Sequence, residues 1–159
     1  MASHACPAGR SRGLTDREKA LVAAVFGPAL DTAPVLVKRR RWFPLQPTNT
    51  VMAPTGHIHF APQSQLYCDD FGFASLWLQG LFIHEMTHVW QSQQRGRYWL
   101  PLMRHPFCRY DYTIKPGFRL PQYGIEQQAE IVRHVFLLRS GHALPGAPPL
   151  AQLESILPF

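Results

Sequence analysis

The sequence predicts an α+β fold, because strand-like and helical segments occupy different parts of the chain. Runs of β-branched residues lie between positions 35 and 60, whereas the longest helical patterns cover residues 74–94 and 124–139. The chain has 159 residues, of which 46% are hydrophobic, so it is long enough to bury one core. We expect a single domain over residues 14–159, preceded by a loose, polar leader over residues 1–13.

The first predicted element is a helix that begins at a capping box. The hydroxyl of Thr15 can accept the amide hydrogen of Glu18, while the carboxylate of Glu18 reaches back to the amide of Thr15. The amphipathic pattern continues to Phe26. It ends at Gly27-Pro28, because these residues interrupt helical geometry.

Strands are predicted in the region that follows. The β-branched run at residues 35–37 predicts a strand that leads into the basic residues 38–41. Residues 50–53 and 57–60 are separated by Pro54-Thr55-Gly56, which predicts a β-hairpin with a three-residue turn.

The second half of the chain is predicted to be mainly helical. Residues 74–94 form the longest helical pattern, and Gly96 is a natural end for it. Residues 97–122 are rich in proline and aromatic residues without a sustained period, so we expect a long, partly ordered loop. A second helix is predicted over residues 124–139 and a short final helix over 150–156.

Five residues of the first long helix carry the chemistry: His84-Glu85-Met86-Thr87-His88. His84 and His88 are four positions apart, so on a helix they lie on one face and can bind the same ion. Glu85 points to the side of that pair and can reach a water molecule without binding the metal itself. This division of roles is typical of a zinc hydrolase, so we expect Zn²⁺ as cofactor and Glu85 as general base.

A catalytic zinc ion needs a third protein ligand. A glycine three positions and a histidine six positions after His88 would fit one pattern, but Gln91 and Gln94 stand there. Glu126 and Glu130 lie on one face of the second long helix, because they are four positions apart. We expect Glu126 to bind the metal and Glu130 to accept a hydrogen bond from a zinc-bound histidine. The spacing also allows the two roles to be exchanged.

Other histidines and tyrosines lie outside this motif. His134 continues the face of Glu126, and we interpret it as a surface or core histidine. His57 and His59 share one face of the predicted hairpin, whose edge we expect to pair with a substrate strand. The candidates for stabilising the oxyanion of the reaction are Tyr110, Tyr112, Tyr123 and His142.

The run from Leu81 to Gln91, together with residues 123–130, resembles a group of bacterial zinc peptidases associated with Rhs elements and type VI secretion spike proteins. The resemblance covers roughly residues 70–135. It implies a zincin-like fold of the gluzincin kind, with a small, mostly antiparallel sheet, a motif helix and a glutamate-bearing helix. The Glu-x-x-Ala run at residues 126–129 is similar to the glutamate-ligand signature of gluzincins, which favours Glu126 as the ligand.

The same resemblance implies an antibacterial effector. Its implied partners are a peptide or protein substrate, a secretion spike and an immunity protein. Residues 1–12 contain no apolar signal region. We therefore expect a bacterial protein that is cytoplasmic in its producer and exported by a leaderless route such as type VI secretion.

The expected activity is hydrolysis of peptide bonds, but the residues allow alternatives. A zinc-dependent amidase acting on cell-wall peptides would use the same metal chemistry. A non-catalytic, zinc-stabilised binding or adaptor protein would also explain the histidines, although it would leave Glu85 without a purpose.

Composition argues against several other classes of protein. The net charge of +6 and the basic run 38–41 raise the possibility of nucleic-acid binding, but the run lacks repeated aromatic interleaving. The longest apolar stretch is interrupted at Gln79 and Gly80, so no membrane span is expected. The three cysteines contain no CxxC pair, so we expect free thiols rather than a cysteine-based metal site.

Overall fold

The computed structural model describes residues 5–159 and has the predicted α+β class. Its strands and helices are β1 (Ser11–Gly13), α1 (Asp16–Phe26), β2 (Leu36–Lys38), β3 (Ile58–His59), α2 (Leu76–Arg95), α3 (Trp99–Met103), α4 (Ile125–Arg139) and α5 (Leu150–Glu154). Short 3-10 helices cover Gly27–Ala29, Phe71–Phe73 and Leu120–Gln122. The four predicted helices correspond to α1, α2, α4 and α5, with ends that agree to within about two residues.

The sheet contains three short strands in the order β1-β2-β3. β1 and β2 are antiparallel, with Arg12 opposite Val37, whereas β2 and β3 are parallel, with Val37 opposite Ile58. The mostly antiparallel sheet implied by the sequence resemblance is therefore only partly present. The long connection between β2 and β3 provides the crossover that parallel pairing requires.

Residues 50–53 do not form the first strand of the predicted hairpin. Only Met52 pairs with His59, in an isolated antiparallel bridge with N–O distances of 3.2 and 2.7 Å. The side-chain amide of Gln46 donates to the carbonyl oxygens of Thr50 (2.7 Å) and His59 (3.1 Å). Because Gln46 takes the carbonyl oxygen of Thr50, which a longer ladder would use, the pairing stops after one bridge. β3 also lies between β2 and Met52, so its edge is not open to a substrate strand as predicted.

The described part of the predicted leader, residues 5–13, packs against the sheet instead of being loose. Residues 11–13 form β1, and the amide of Gly9 donates to the carbonyl oxygen of Arg39 (2.8 Å). The guanidinium of Arg39 donates to the carbonyl oxygens of Cys6 (2.9 Å) and Pro62 (2.8 Å). Part of the basic run is thus used to hold the N-terminal segment, a role that composition does not reveal. Residues 1–4 of the predicted leader lie outside the described residues.

Helices α2 and α4 pack along one another and form the centre of the molecule. Phe82, Ile83 and Met86 of α2 are fully buried there. A Cβ at Gly80 would lie 3.2 Å from the side chain of Leu137 on α4, so glycine permits this close approach. A glycine inside a helix costs roughly 1 kcal/mol relative to alanine, so packing outweighs helix propensity at this position. The predicted loop over residues 97–122 contains α3 and a 3-10 helix, and the three cysteines are free.

The capping box of α1 is the anchor between this helix, the sheet and the segment before α2. Glu18 is fully buried, and its carboxylate accepts hydrogen bonds from both terminal nitrogens of Arg12 at 2.8 Å each. It also accepts from the amides of Thr15 (2.8 Å) and Phe71 (3.0 Å). Four donors therefore compensate for the loss of water around this carboxylate.

Replacing Glu18 with alanine is expected to destabilise the fold by about 3–5 kcal/mol, because the largely buried Arg12 loses its negatively charged partner. Asp16→Ala is a matched control, since Asp16 lies in the same helical turn but its side chain is fully exposed. Its loss should cost at most about 1 kcal/mol. Urea denaturation of the two variants measures both values. Equal losses would show that the buried network contributes nothing beyond helix-end electrostatics.

Candidate metal centre

The residues of the predicted motif lie in the most buried part of α2. His84, Glu85 and His88 are 6%, 6% and 5% exposed, respectively. Every residue from Phe82 to Ser92 is buried, so this stretch of helix is surrounded by protein or by the walls of a cleft. Helical geometry places the two imidazoles on the same side of α2, with ring centroids 5.0 Å apart.

Glu126 of α4 completes a cluster with the two histidines. Its Oε2 atom lies 3.2 Å from Nε2 of His84 and 3.1 Å from Nε2 of His88. The carboxylate is only 1% exposed. One atom from each of the three residues lies within 4.8 Å of the other two, so together they can hold a metal ion.

The outer ring nitrogens of both histidines are also engaged. Nδ1 of His84 lies 2.8 Å from Oε1 of Glu130, one helical turn beyond Glu126. Nδ1 of His88 lies 2.8 Å from Oε1 of Gln91, on the same helix. Glu130 thus contacts the outer side of a histidine, as expected from its spacing. Gln91 was missed, although an amide three positions after a histidine was visible in the sequence.

These outer hydrogen bonds fix the tautomers of the two rings. A carboxylate only accepts, so Nδ1 of His84 carries a proton. The amide nitrogen of Gln91 donates to Ile125 and Gln128 at 3.0 Å each, which turns its oxygen toward His88. Nδ1 of His88 therefore donates as well. In neutral rings, both Nε2 lone pairs then face the carboxylate oxygen of Glu126, an arrangement that needs protons or a cation between these atoms.

The charge state of the cluster follows from these contacts. Burial lowers the pKa of His84, but its hydrogen bonds to Glu126 and Glu130 outweigh burial and raise the pKa to about 9. Burial raises the pKa of Glu126, but hydrogen bonds from His84 and His88 hold it well below its usual range. In the metal-free cluster, His84 therefore keeps a second ring proton and is positively charged at neutral pH. A metal ion must displace that proton, so its affinity should fall as the pH is lowered.

Glu85 lies beside the cluster without joining it. Its Oε2 atom is buried and has no hydrogen-bond partner within residues 5–159. Burial raises the pKa of this carboxyl, whereas the charges of His84, His88 and Arg104 act in the opposite direction. Because a buried oxygen without a donor is costly, this side chain is suited to binding a small polar molecule in the cleft.

The cluster lies where two cavities meet. Both cavities are lined by His88, Arg104 and Glu126. The charged cavity, of about 450 Å³, is also lined by Trp77, Glu85, Tyr110, Glu130 and Arg133. The apolar cavity, of about 500 Å³, is also lined by Trp42, Phe43, Met52, Leu100, Pro101 and Pro106. The two cavities together form a cleft that continues on both sides of the cluster.

Arg104 is the charged residue that sequence patterns did not reveal. Its guanidinium lies 3.4 Å from Oε1 of Glu126, the carboxylate oxygen that faces away from the histidines. It follows α3 in a segment without helical or strand periodicity. Its position near Glu126 depends on tertiary packing, so no local pattern could have identified it.

One of the other candidate residues contacts the cluster, and two more are linked to it through Glu130. The ring of Tyr110 stacks on His84, with centroids 6.2 Å apart. Nε2 of His134 lies 3.5 Å from Glu130, and its Nδ1 lies 2.6 Å from the hydroxyl of Tyr112. A chain of polar contacts therefore leads from His84 through Glu130 and His134 to Tyr112.

The remaining candidates lie away from the cluster or have structural partners. His57 accepts a hydrogen bond from the amide of Leu36 (3.2 Å), and His59 contacts the carbonyl oxygen of Arg40 (3.3 Å). The hydroxyl of Tyr123 accepts from the amide of Lys115 (2.9 Å), and His142 is exposed. The side chain of Arg41 is also used internally, because it donates to the carbonyl oxygen of Gln46 (2.9 Å).

Replacing Gln91 with alanine is expected to weaken binding of a zinc ion by about 10–100-fold, because His88 loses the acceptor that orients its ring. Gln94→Ala is the matched control, since Gln94 is exposed one turn further along the same helix. Competition titration with a zinc-sensitive dye measures the two affinities. If both variants bind zinc as tightly as the unsubstituted chain, the Gln91 contact does not support the site.

The fold and the cluster together define an α+β domain with a candidate metal centre between two helices. No family model matches the chain. Among solved structures, the effector domain of Pseudomonas aeruginosa VgrG2b is 34% identical and has a TM-score of 0.73, and the match covers 99% of this chain and 87% of that one. The chain therefore belongs to the family of the VgrG2b effector domain.

A comparison with curated proteins gives a concordant result. The type VI secretion system spike protein VgrG2b of P. aeruginosa is 40% identical in an alignment of 132 positions that covers 79% of this chain. The match spans only 13% of the length of that spike protein. The similarity therefore concerns one part of a much longer relative.

Proposed function

We propose that the chain is a zinc-dependent hydrolase that cleaves peptide bonds and acts as a type VI secretion effector with a zincin-like fold. One observation supports this most directly. The Nε2 atoms of His84 and His88 both face the carboxylate of Glu126, and the buried Oε2 atom of Glu85 lies beside them without a hydrogen-bond partner. A purely structural metal site has no need of an unpartnered carboxylate such as that of Glu85 beside its ligands.

The residues present fit a zinc ion. His84, His88 and Glu126 would hold it, and Glu130 and Gln91 would orient the two imidazoles. When bound, zinc supplies a Lewis acid that makes water more acidic and polarises a carbonyl group. Three protein ligands leave a coordination position open, which is typical of catalytic rather than structural zinc.

Glu85 has the position and chemistry of the general base. Its carboxylate lines the charged cavity next to the cluster, so it can take a proton from the attacking water and later deliver it to the leaving amine. Arg104 and Tyr110 line the same cavity and can donate hydrogen bonds to the oxygen of the substrate carbonyl.

The cleft is suited to an extended peptide. Residues 49–51 line the charged cavity and residues 52–54 line the apolar cavity, so this segment runs along both. The backbone of Met52 faces β3 through its bridge with His59. A substrate strand can therefore lie along this edge of the cleft, beside Val51 and Ala53. This edge replaces the β3 edge that the sequence predicted.

The family relationship supports the proposed biological setting. The solved relative is an effector domain, and the long relative is a type VI secretion system spike protein. We infer that this chain is exported in association with a spike of that kind. Its substrate would then be a peptide or protein of the cell that receives it, and an immunity protein would protect the producer.

The proposal can be tested with the purified full chain. After removal of metal by a chelator and reloading, it should contain about one zinc ion per chain. Unstructured proteins and peptide libraries should be cleaved by the zinc-loaded chain, and the chelated chain should be inactive until zinc is restored. Cell-wall peptides are tested in parallel. Cleavage of these alone would indicate an amidase, and absence of bound zinc would contradict the proposed hydrolase.

A further inference from the structure

The segment around α3 carries four exposed apolar side chains to which the proposed hydrolase assigns no role. Tyr98, Leu102, Met103 and Phe107 are 62%, 82%, 52% and 84% exposed, respectively. They lie on and around α3, whose Leu100 is buried. We call this the α3 surface: residues 95–109 with these four apolar side chains. Large apolar side chains grouped in this way usually mark an interaction site.

The same segment is strongly cationic. The sequence from Met86 to Tyr110 contains four arginines and no aspartate or glutamate. Arg95 lies over the ring of Trp99 and Arg97 over the ring of Tyr98, each 5.5 Å from the ring centroid. These guanidinium groups are therefore held beside one exposed ring, Tyr98, and one half-buried ring, Trp99, within reach of a flat anionic surface.

We propose that the α3 surface binds the headgroup region of an anionic phospholipid bilayer. Exposed apolar and aromatic side chains flanked by arginines form the pattern by which proteins lie on a membrane without crossing it. The apolar tips would enter the boundary between headgroups and acyl chains, while Arg95 and Arg97 would contact the phosphates. Within residues 5–159, no helix is long and apolar enough to span a bilayer.

The charge pattern favours lipid over an acidic protein as the occupant. Leu102 and Phe107 are the most exposed of the four apolar side chains of the α3 surface, and they lie well into solvent. A salt-sensitive protein contact would need the arginines alone, whereas insertion into a bilayer needs both the arginines and the apolar side chains. Removing each group separately therefore distinguishes the two occupants. The inference does not depend on hydrolysis, although Leu100, Pro101 and Arg104 of the segment also line the cleft.

The experiment is co-sedimentation of the full chain with vesicles of phosphatidylcholine, with and without phosphatidylglycerol. Binding is expected only when phosphatidylglycerol is present. The double substitution Leu102→Ser/Phe107→Ser should weaken it about tenfold, because two apolar anchors are lost. Arg95→Gln/Arg97→Gln should weaken it about tenfold as well and reduce its salt dependence.

Phe73→Ser is the matched control. Phe73 is 72% exposed and lies just before the start of α2, whereas the α3 surface lies at the end of α2. Because a helix of 20 residues is about 30 Å long, α2 separates Phe73 from the α3 surface. This variant should bind vesicles as the unsubstituted chain does, and thermal melting confirms that all variants fold. Absence of binding to anionic vesicles would overturn the proposal. Undiminished binding of Leu102→Ser/Phe107→Ser would also overturn it, because charge alone would then account for binding.

Discussion

Replacing Glu85 with glutamine is expected to reduce peptide hydrolysis by about 10²–10⁴-fold, the usual contribution of a positioned general base. The amide has nearly the same shape as the carboxylate but cannot take a proton from water. The reaction would lose its proton acceptor while the groups that hold the metal remain in place. The effect should appear in kcat, because binding of the peptide along residues 49–54 does not involve Glu85.

The zinc content and the stability of Glu85→Gln should remain those of the unsubstituted chain. Glu85 contributes no atom to the His84, His88 and Glu126 cluster, and its buried Oε2 has no hydrogen bond to lose. Glu154→Gln is a suitable control, because Glu154 is partly exposed and pairs with Arg139 on the surface. Elemental analysis, thermal melting and the peptide assay are measured on all three proteins. Full activity in Glu85→Gln would require a different base.

The elements that sequence predicted well are those whose signals are local. The capping box at Thr15 and Glu18 forms with both of its hydrogen bonds, and α1 begins and ends where the pattern indicates. Glycines 96 and 141 follow α2 and α4, respectively. The spacing of four residues on each helix also places His84 with His88 and Glu126 with Glu130, because helical geometry alone determines these pairs.

The sheet was predicted less well, because its pairing depends on distant residues. The hairpin ends at one bridge because Gln46, which precedes both segments, takes the carbonyl oxygen of Thr50. β1 forms because Arg39 and its neighbours bind the backbone of the N-terminal segment. Neither contact produces a period of two in the sequence, so the strand pattern could not reveal either one.

Sequence spacing can group candidate site residues only along each of the two helices. Gln91 and Arg104 were missed for different reasons. In the sequence, Gln91 stands where another zinc motif has a glycine, so the pattern gives it no role. In the structure, its side-chain amide contacts His88 on α2 and Ile125 at the start of α4. Arg104 belongs to a segment without periodicity, and only the packing of α3 brings it to the carboxylate of Glu126. Contacts of this kind require the tertiary structure.

The two glutamates of α4 have different expected roles, and their substitution separates them. Glu126→Gln is expected to lower the affinity for zinc by about two to four orders of magnitude, if roughly 10–16 kcal/mol of binding energy is shared among the three protein ligands. Glu130→Gln should lower it by only about 10–100-fold, because it alters the orientation of His84 and not the ligand set. The geometry supports this assignment, since Glu126 faces Nε2 of both histidines and Glu130 faces only Nδ1 of His84.

Thermal melting with and without zinc provides a readout that is independent of catalysis. Zinc should raise the melting temperature of the unsubstituted chain, because a ligand that binds only the folded state stabilises it. At the same zinc concentration, Glu126→Gln should show no such rise and Glu130→Gln a smaller one. If zinc raises the melting temperature of Glu126→Gln normally and that of Glu130→Gln not at all, Glu130 is the metal ligand and Glu126 the orienting residue. The spacing of four residues also permits this assignment. A full rise in both variants would mean that the ion binds elsewhere and would remove the basis for the proposed hydrolase.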